Sequence, residues 1–120
     1  DDDWNALERH LGMGRSEADE GGWRGSPVGS GLAAKASLWE SGALKNQSEF
    51  GTSGFSALPA GYRYSGNGYF YTLGGSAPFW SATESSTSNA WGRHLGYDSS
   101  GVGRGHYDKR GGFSIRLVRD

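Results

Sequence analysis

Histidines are the first residues of this chain that could perform chemistry. The 120 residues include His10, His94 and His106 but no cysteine. His94 and His106 fall on two successive extended segments and could meet across a hairpin centred near Ser100. Two imidazoles are too few for a zinc site, which takes three or four protein ligands. We therefore expect structural or surface roles for the histidines and predict no metal site built on them.

Carboxylates could serve acid–base catalysis or calcium binding. A glycoside hydrolase needs two carboxyl groups about 5–9 Å apart in a cleft, and the candidates are Glu84, Asp98 and Asp108. Each stands at a predicted strand end or turn, where a polar cap is the commoner role. With Asn89, the same residues offer the oxygen ligands that calcium prefers, although the spacing of an EF-hand is absent. Calcium is therefore the one cofactor left open, and no other is predicted.

Nucleophilic catalysis has no support in the sequence. The Gly-x-Ser-x-Gly motif of a nucleophile elbow is absent. The lack of cysteine removes thiolate catalysis, disulfides and cysteine-based zinc sites. We therefore predict that the protein is not an enzyme.

A binding surface is the better-supported kind of site. The segment from Ala90 to Tyr97 alternates, so its large side chains share one face while its small residues share the other with His94. Aromatic rings, guanidinium groups and an imidazole gather on the late strands and loops, a composition favoured at interfaces and for stacking on sugar rings. The alternative is that Trp91 and Tyr97 fill the core. The predicted ligand-binding residues are Trp91, Arg93, Tyr97, Arg104, His106 and Tyr107.

Composition and charge limit the partners. The formal net charge is −1 and the charged residues are scattered, so we expect no nucleic-acid partner. No apolar run approaches the length of about 20 residues that crosses a bilayer, so no membrane span is predicted. The length suits one domain, and the 22 glycines and 13% aromatic residues indicate many turns around an aromatic core.

Two helices are predicted in the first third of the chain. Apolar residues at helical spacing behind three acidic residues predict a helix from Asp3 to Leu11. Its apolar residues should face the core, and Glu8 should face solvent with its polar neighbours. Good helix formers predict a second helix from Leu32 to Trp39. Residues 13–31, between the two, are predicted to form a loop anchored by Trp23.

Short extended segments follow from Gly51 onward. Two of them, residues 62–64 and 69–73, predict a hairpin about the turn at 65–68. The stretch from Ala77 to Glu84 contains Phe79 and Trp80 and is predicted to be a buried central strand. Helices followed by strands predict an α+β fold with an antiparallel sheet. The further predicted strands are 54–59, 90–97, 102–107 and 113–118.

Several blocks of the sequence resemble one known family, and they occur in that family's order from one end of the chain to the other. They are residues 4–8, 54–63, 79–84, 89–91 and 112–120. On these blocks the chain resembles the Fibrobacter succinogenes major paralogous domain, which is found in secreted and surface-attached bacterial proteins. The resemblance implies one domain over residues 1–120 and an extracellular or outer-surface location in a bacterium. It implies no particular activity.

The closing Gly-Phe-Ser-x-Arg pattern is similar to the end of C-type-lectin-like and formylglycine-generating-enzyme folds. By that analogy, two N-terminal helices precede a small twisted antiparallel sheet with long loops. Formylglycine-generating enzymes act through cysteines, so their activity does not carry over. The Glu-Pro-Asn and Gln-Pro-Asp motifs of sugar-binding C-type lectins are also missing.

Two departures from the resembled family bear on assembly. Its members commonly carry a segment before the first helix, and they often have cysteine where this chain has Leu117. We expect the domain to lack its first strand here or to receive it from another chain. An open sheet edge would invite pairing with a second copy.

Two functions follow as hypotheses. The first is a secreted or cell-surface, non-catalytic binding or adhesion module that recognises a glycan or a surface protein through its late-strand loops. The alternative is a structural surface protein that self-assembles into homo-oligomers or filaments. The expected open edge and the near-zero net charge motivate this alternative.

Overall fold

The fold is built mainly from antiparallel strands. The computed structural model describes residues 1–119. The strands are β1 (Gly22–Arg24), β2 (Tyr62–Arg63), β3 (Phe70–Tyr71), β4 (Ser76–Glu84), β5 (Asn89–Gly96) and β6 (Val102–Asp108). Four of them form the main sheet in the order β1-β6-β5-β4, and β2 pairs with β3 in a separate hairpin. Every neighbouring pair is antiparallel. With its helices, the domain is α+β.

The helices are short and lie in the first third of the chain. They are α1 (Asp2–His10), α2 (Arg15–Asp19), α3 (Val28–Leu32) and a 3-10 turn at Ala36–Leu38. Within residues 1–119, no helix has the length and apolar character needed to cross a membrane.

Helix α1 confirms the first predicted helix to within one residue at each end. Its Trp4 and Leu7 pack against the core as expected, with Leu11 just beyond. Glu8 contradicts the prediction, because it is fully buried rather than solvated. Helical spacing alone assigned Glu8 to solvent, whereas its charge is matched by arginines from distant parts of the chain.

The second predicted helix is wrong. Lys35 has a left-handed backbone with φ of 54°, which interrupts any helix through residues 32–39. The helical turn lies earlier, in α3. Trp39 is buried, and its Nε1 donates a hydrogen bond to the carbonyl of Ala34 (3.1 Å). The predicted loop at 13–31 therefore contains α2, β1 and α3.

Strand β4 forms as predicted but is not central. It is last in the sheet order, and its outer edge is covered by Ser114: the Trp80 N–H donates to the Ser114 carbonyl (3.1 Å), and the Ser114 N–H donates to Pro78 (3.0 Å). Phe79 and Trp80 point to opposite faces because side chains alternate along a strand. Phe79 is buried, whereas Trp80 is half-buried and stacks on Phe113 at 4.3 Å.

Two other predicted strands are reduced to single bridges. In residues 54–59, only Ala57 pairs, with Ala33. In the predicted terminal strand, Ser114 pairs with Phe79, and the side chains of Ile115 and Leu117 beyond it are exposed. Alternation of apolar residues did not make a strand here because no neighbouring strand continues beside it. The predicted hairpin at 62–73 is confirmed, with two paired positions.

The main sheet has two distinct faces. The inner face carries Phe79 and Leu95 and packs on α1, α3 and the loops between residues 39 and 61. Trp4, Phe55 and Phe79 meet there with ring centroids 5.3–5.7 Å apart. The outer face carries His94 and Tyr107 with the small residues of β5 and β6, as the alternation of β5 predicts.

Helix α3 approaches the β5–β6 turn so closely that one glycine is essential. A Cβ at Gly29 would lie 1.9 Å from the carbonyl oxygen of Gly101, whereas a Cβ at Gly31 has no neighbour closer than 3.5 Å. Gly29→Ala should therefore lower the free energy of unfolding by about 3 kcal/mol, the upper part of the overpacking range. Gly31→Ala, in the same helix, should change it by no more than about 1 kcal/mol. Urea denaturation measures both, and equal effects would contradict this packing.

Candidate functional site

A buried carboxylate organises the inner face. Glu8 of α1 has an exposure of 0%. Its Oε2 accepts a hydrogen bond from Arg24 Nη2 (2.7 Å), and its Oε1 accepts one from Arg93 Nε (2.8 Å). A single carboxylate on α1 thus binds guanidinium groups from β1 and β5. We call Glu8, Arg24, Arg93, Arg104, Asp1 and Asn5 the inner network.

The outer members of the inner network bind most of the remaining guanidinium hydrogens, and Arg24 Nε is buried without a hydrogen-bond partner within residues 1–119. Asp1 accepts from Arg93 Nη1 (2.6 Å) and from Arg104 Nη2 (2.7 Å). Asn5 accepts from Arg93 Nη2 (2.7 Å), and Arg104 Nη1 donates to the Asp19 carbonyl (2.7 Å). Every nitrogen of the Arg93 guanidinium is therefore hydrogen-bonded inside the protein.

Sheet register explains why three arginines meet. Arg93 on β5 lies directly opposite Arg104 on β6, and Arg24 lies beside β6 opposite Val102. Like charges at paired positions repel, so the arrangement requires the carboxylates of Glu8 and Asp1. Burial lowers the pKa of Arg93 and of Arg24, and the nearby Glu8 carboxylate opposes that shift. Arg93 is thus a structural residue, which corrects its assignment to an exposed binding face.

Removal of the buried carboxylate should destabilise the fold strongly. Glu8→Ala leaves Arg24 and Arg93 buried without their shared partner, and loss of one member of a buried pair costs about 3–5 kcal/mol. The matched control is Glu84→Ala, which breaks the exposed pair with Lys109 and should cost no more than about 1 kcal/mol. Chemical denaturation compares the two variants. A Glu8→Ala protein as stable as Glu84→Ala would contradict the role of the inner network.

The other predicted binding residues do not form one surface. Trp91, Arg104 and His106 are brought together on the inner-face side, where Arg104 lies 4.1 Å over the Trp91 ring and the His106 ring is 5.4 Å from it. Tyr97 packs against the core, in line with its alternative role. Tyr107 lies on the outer face. The predicted set is therefore divided between the core, the inner face and a groove beside the outer face that both His106 and Tyr107 line.

Glycines on the outer face form a floor for two aromatic rings. A Cβ at Gly92 would lie 3.2 Å from Tyr107 Cδ2, and one at Gly105 would lie 3.0 Å from the Tyr107 hydroxyl. A Cβ at Gly96 would similarly lie 3.1 Å from the ring of Trp23. The rings thus lie flat against the backbone of β5 and β6. Trp23 is 53% exposed, so it anchors β1 while keeping part of its ring in solvent.

Next to this floor lies a groove of about 460 Å³. We call it the outer groove. Strand β2 and the turn after it form one side, residues of β5 and β6 form the other, and Phe113 contributes from the C-terminal segment. The rings of Tyr107 and Phe113 meet edge to face at 5.1 Å. The lining residues are Tyr62, Arg63, Tyr64, Ser65, Asn89, His94, His106, Tyr107, Asp108, Gly111 and Phe113.

His94 supplies the outer groove with an uncharged imidazole. Burial lowers the pKa of His94, and Asp98 opposes this only in part. Its ring lies between those of Trp23 (5.8 Å) and Tyr107 (6.5 Å). Among residues 1–119 its ring nitrogens have no hydrogen-bond partner. At neutral pH one of these nitrogens can donate a hydrogen bond and the other can accept one.

The lowered pKa of His94 predicts that acid destabilises the fold. As the pH falls below about 6.5, His94 becomes protonated in the unfolded chain while it stays neutral in the folded protein. The free energy of unfolding therefore decreases as the pH falls from about 6.5 towards the lower pKa of folded His94. His94→Gln should reduce the difference in unfolding free energy between about pH 7.5 and about pH 5. Denaturation at both pH values checks this. Identical differences in both proteins would contradict the burial of a neutral imidazole.

Two of the three candidate carboxylates, Glu84 and Asp108, are already paired with cations of the chain. Lys109 Nζ donates to Glu84 Oε1 (2.5 Å) and to the Thr87 carbonyl (3.0 Å). Hydrogen bonds from Arg110 lower the pKa of Asp108 to about 2. Across residues 1–119, no three histidine, aspartate or glutamate side chains are grouped to hold a metal ion. Of the residues weighed for calcium, Glu84, Asp98 and Asp108 are thus not grouped around one point, and Asn89 lies opposite Asp108 on the neighbouring strand.

The two late histidines do not meet across the hairpin. Register places His94 opposite Gly103 and His106 opposite Trp91. The two positions are of opposite parity, so the histidines are not paired across the ladder, although both line the outer groove. The hairpin itself forms as expected, but its register excludes a histidine pair.

Sequence reasoning missed most of the outer groove. Tyr62 and Tyr64 were assigned to a hairpin without a role, and His94 was placed with the small residues. A signal was present: glycines recur on one face of both β5 and β6, at Gly92 and Gly96 and at Gly103 and Gly105. Glycines at alternate strand positions mark close approach of another group, here the rings of Trp23 and Tyr107.

The fold and its two faces define a small α+β domain with a charged, closed inner face and an aromatic outer groove. The chain belongs to the Fibrobacter succinogenes major domain family, whose model matches residues 1–119. No curated protein and no solved structure matches the chain.

Proposed function

We propose that this domain is a non-catalytic binding module that recognises carbohydrate through the outer groove. The observation that carries the proposal is the lining of that groove, where aromatic rings surround a neutral imidazole and an amide. Apolar sugar faces pack on aromatic rings, while hydroxyl groups need side chains that donate and accept hydrogen bonds. His94 and Asn89 can do both.

The size and charge of the outer groove favour a glycan over a folded protein partner. Its volume of about 460 Å³ lies within the range of about 300–1,000 Å³ typical of small-ligand pockets. Its acidic residue, Asp108, is neutralised by Arg110 at 2.6 Å. An uncharged ligand therefore meets no unpaired carboxylate there, and the lining cation Arg63 donates a hydrogen bond to the Arg110 carbonyl (3.4 Å). Of the two ligands expected from the sequence, a glycan or a surface protein, we therefore propose the glycan. We place its binding site in the outer groove rather than on the late-strand residues predicted from the sequence.

The wider setting is also a proposal. We infer a C-type-lectin-like arrangement, supported by the small antiparallel sheet, the preceding α1 and the long irregular segment from residue 39 to 61. We infer an extracellular or outer-surface location in a bacterium from the family to which the chain belongs. The absence of a catalytic role is part of the same proposal, since Glu84 and Asp108 are each paired with a cation.

Calorimetric titration with neutral oligosaccharides of glucose, mannose and xylose tests the proposal. At least one series should bind, and Tyr64→Ala should weaken that binding about two- to tenfold, because an aromatic contact contributes about 0.5–1.5 kcal/mol. Trp91→Ala is the matched control, because Trp91 lies outside the outer groove. Circular dichroism confirms that both variants fold. Failure of every oligosaccharide to bind, or equal weakening by the two variants, would overturn the proposal.

Self-assembly remains the second candidate function, and one observation favours it. After Ser114, the apolar side chains of Ile115, Leu117 and Val118 are exposed beside the β4 edge. A row of exposed apolar residues at a sheet edge is a surface on which a second copy could pair. Light scattering over a concentration series of the same preparation decides between a monomeric binding module and an assembling protein.

A further inference from the structure

Four tyrosines share one face of the β2–β3 hairpin. Tyr62 lies opposite Tyr71, and the Tyr64 N–H donates to the Tyr69 carbonyl (2.9 Å), which places those two residues opposite each other. Because side chains alternate along a strand, residues 62, 64, 69 and 71 all fall on the same face. Arg63 and Phe70 are paired on the other face. We call the four tyrosines the tyrosine face.

The tyrosine face begins inside the outer groove and continues beyond it. Tyr62 and Tyr64 line the groove, whereas Tyr69 and Tyr71 do not. Exposure rises along the row, from half-buried Tyr62 to 49% for Tyr64 and 69% for Tyr69. The exposed rings are therefore a direct extension of the groove surface rather than a separate patch.

Contacts within the hairpin hold the rings of Tyr62, Tyr64 and Tyr71 and the backbone of Tyr69 in place without a ligand. Asn67 Nδ2 donates to the Tyr71 hydroxyl (2.8 Å), and Asn67 Oδ1 accepts from the Tyr69 N–H (2.9 Å). The rings of Tyr62 and Tyr71 lie 5.9 Å apart, and those of Tyr64 and Tyr71 lie 6.3 Å apart. A surface fixed in advance loses little conformational entropy on binding.

We propose that the tyrosine face binds further units of the same neutral glycan, so that the ligand of this domain is an extended oligosaccharide chain rather than a single sugar. This inference rests on the proposed function of the outer groove. The occupant follows from continuity with that groove and from charge, because no residue of the tyrosine face is ionic. Arg63 lies in the groove and not on the tyrosine face, so a charged polymer would find no ionic partner along the row of rings, which suits a chain of repeating sugar faces.

A chain-length series tests the inference. The neutral oligosaccharide type that binds the protein is titrated at two, four and six units into the wild type and two variants. Tyr69→Ala removes the distal ring of the tyrosine face, and Phe70→Ala removes a ring that is 80% exposed on the opposite face. Neither ring takes part in the hydrogen bonds made by Asn67.

We expect the six-unit chain to bind the wild type about fivefold or more tightly than the two-unit chain. Tyr69→Ala should remove most of that gain and leave two-unit binding unchanged, and Phe70→Ala should behave as wild type. Equal affinity for both lengths, or equal effects of the two variants, overturns the extended site while the outer groove stands. If light scattering shows that Tyr69→Ala changes the molecular mass of the protein in solution, the tyrosine face binds a second copy of the chain. That result would also overturn the extended glycan site. If no oligosaccharide binds, the outer groove and its extension both fail.

Discussion

The fold depends on neutralising guanidinium groups that the sheet forces together. Strand register sets Arg93 against Arg104 and brings Arg24 alongside, within an interior where unpaired charge is costly. Glu8 reaches two of these groups from α1, and Asp1 reaches Arg93 and Arg104. Helix α1 is therefore held against the sheet by these ion pairs as well as by apolar packing. A slip in its position would break several charge-assisted hydrogen bonds together.

Closure of the inner face leaves the outer face as the surface on which we propose ligand recognition. The inner network occupies the middle of the inner face, and Arg104 covers the Trp91 ring. On the outer face, the glycines of β5 and β6 let Tyr107 and Trp23 lie against the backbone, which opens space above them. The same sheet thus has one face closed by charge pairing and one face left accessible by the absence of side chains. The outer groove and the tyrosine face follow from this asymmetry.

Local patterns predicted much of the fold, and long-range pairing decided the rest. The sequence predicted helix α1, the strands β4, β5 and β6 and the hairpin, because the spacing of apolar residues and the residues that favour turns are local features. The burial of Glu8 was not, since its partner Arg93 is 85 residues away along the chain. The site was less predictable still. Arg93 and Tyr107 looked alike as binding residues, yet one completes an interior network and the other lines a groove. Their difference lies in register, which one sequence does not reveal.

Recognition on the outer face is tested most directly by an amide chemical-shift titration of the isotope-labelled domain with a neutral oligosaccharide of six units. We expect shift changes at His94 and Tyr107 and along the hairpin from residue 62 to 71. The amides of Glu8, Trp91 and Arg104 should stay unchanged. Shift changes centred on Trp91 and Arg104 would contradict it, because they would place recognition on the inner face that the buried charges close.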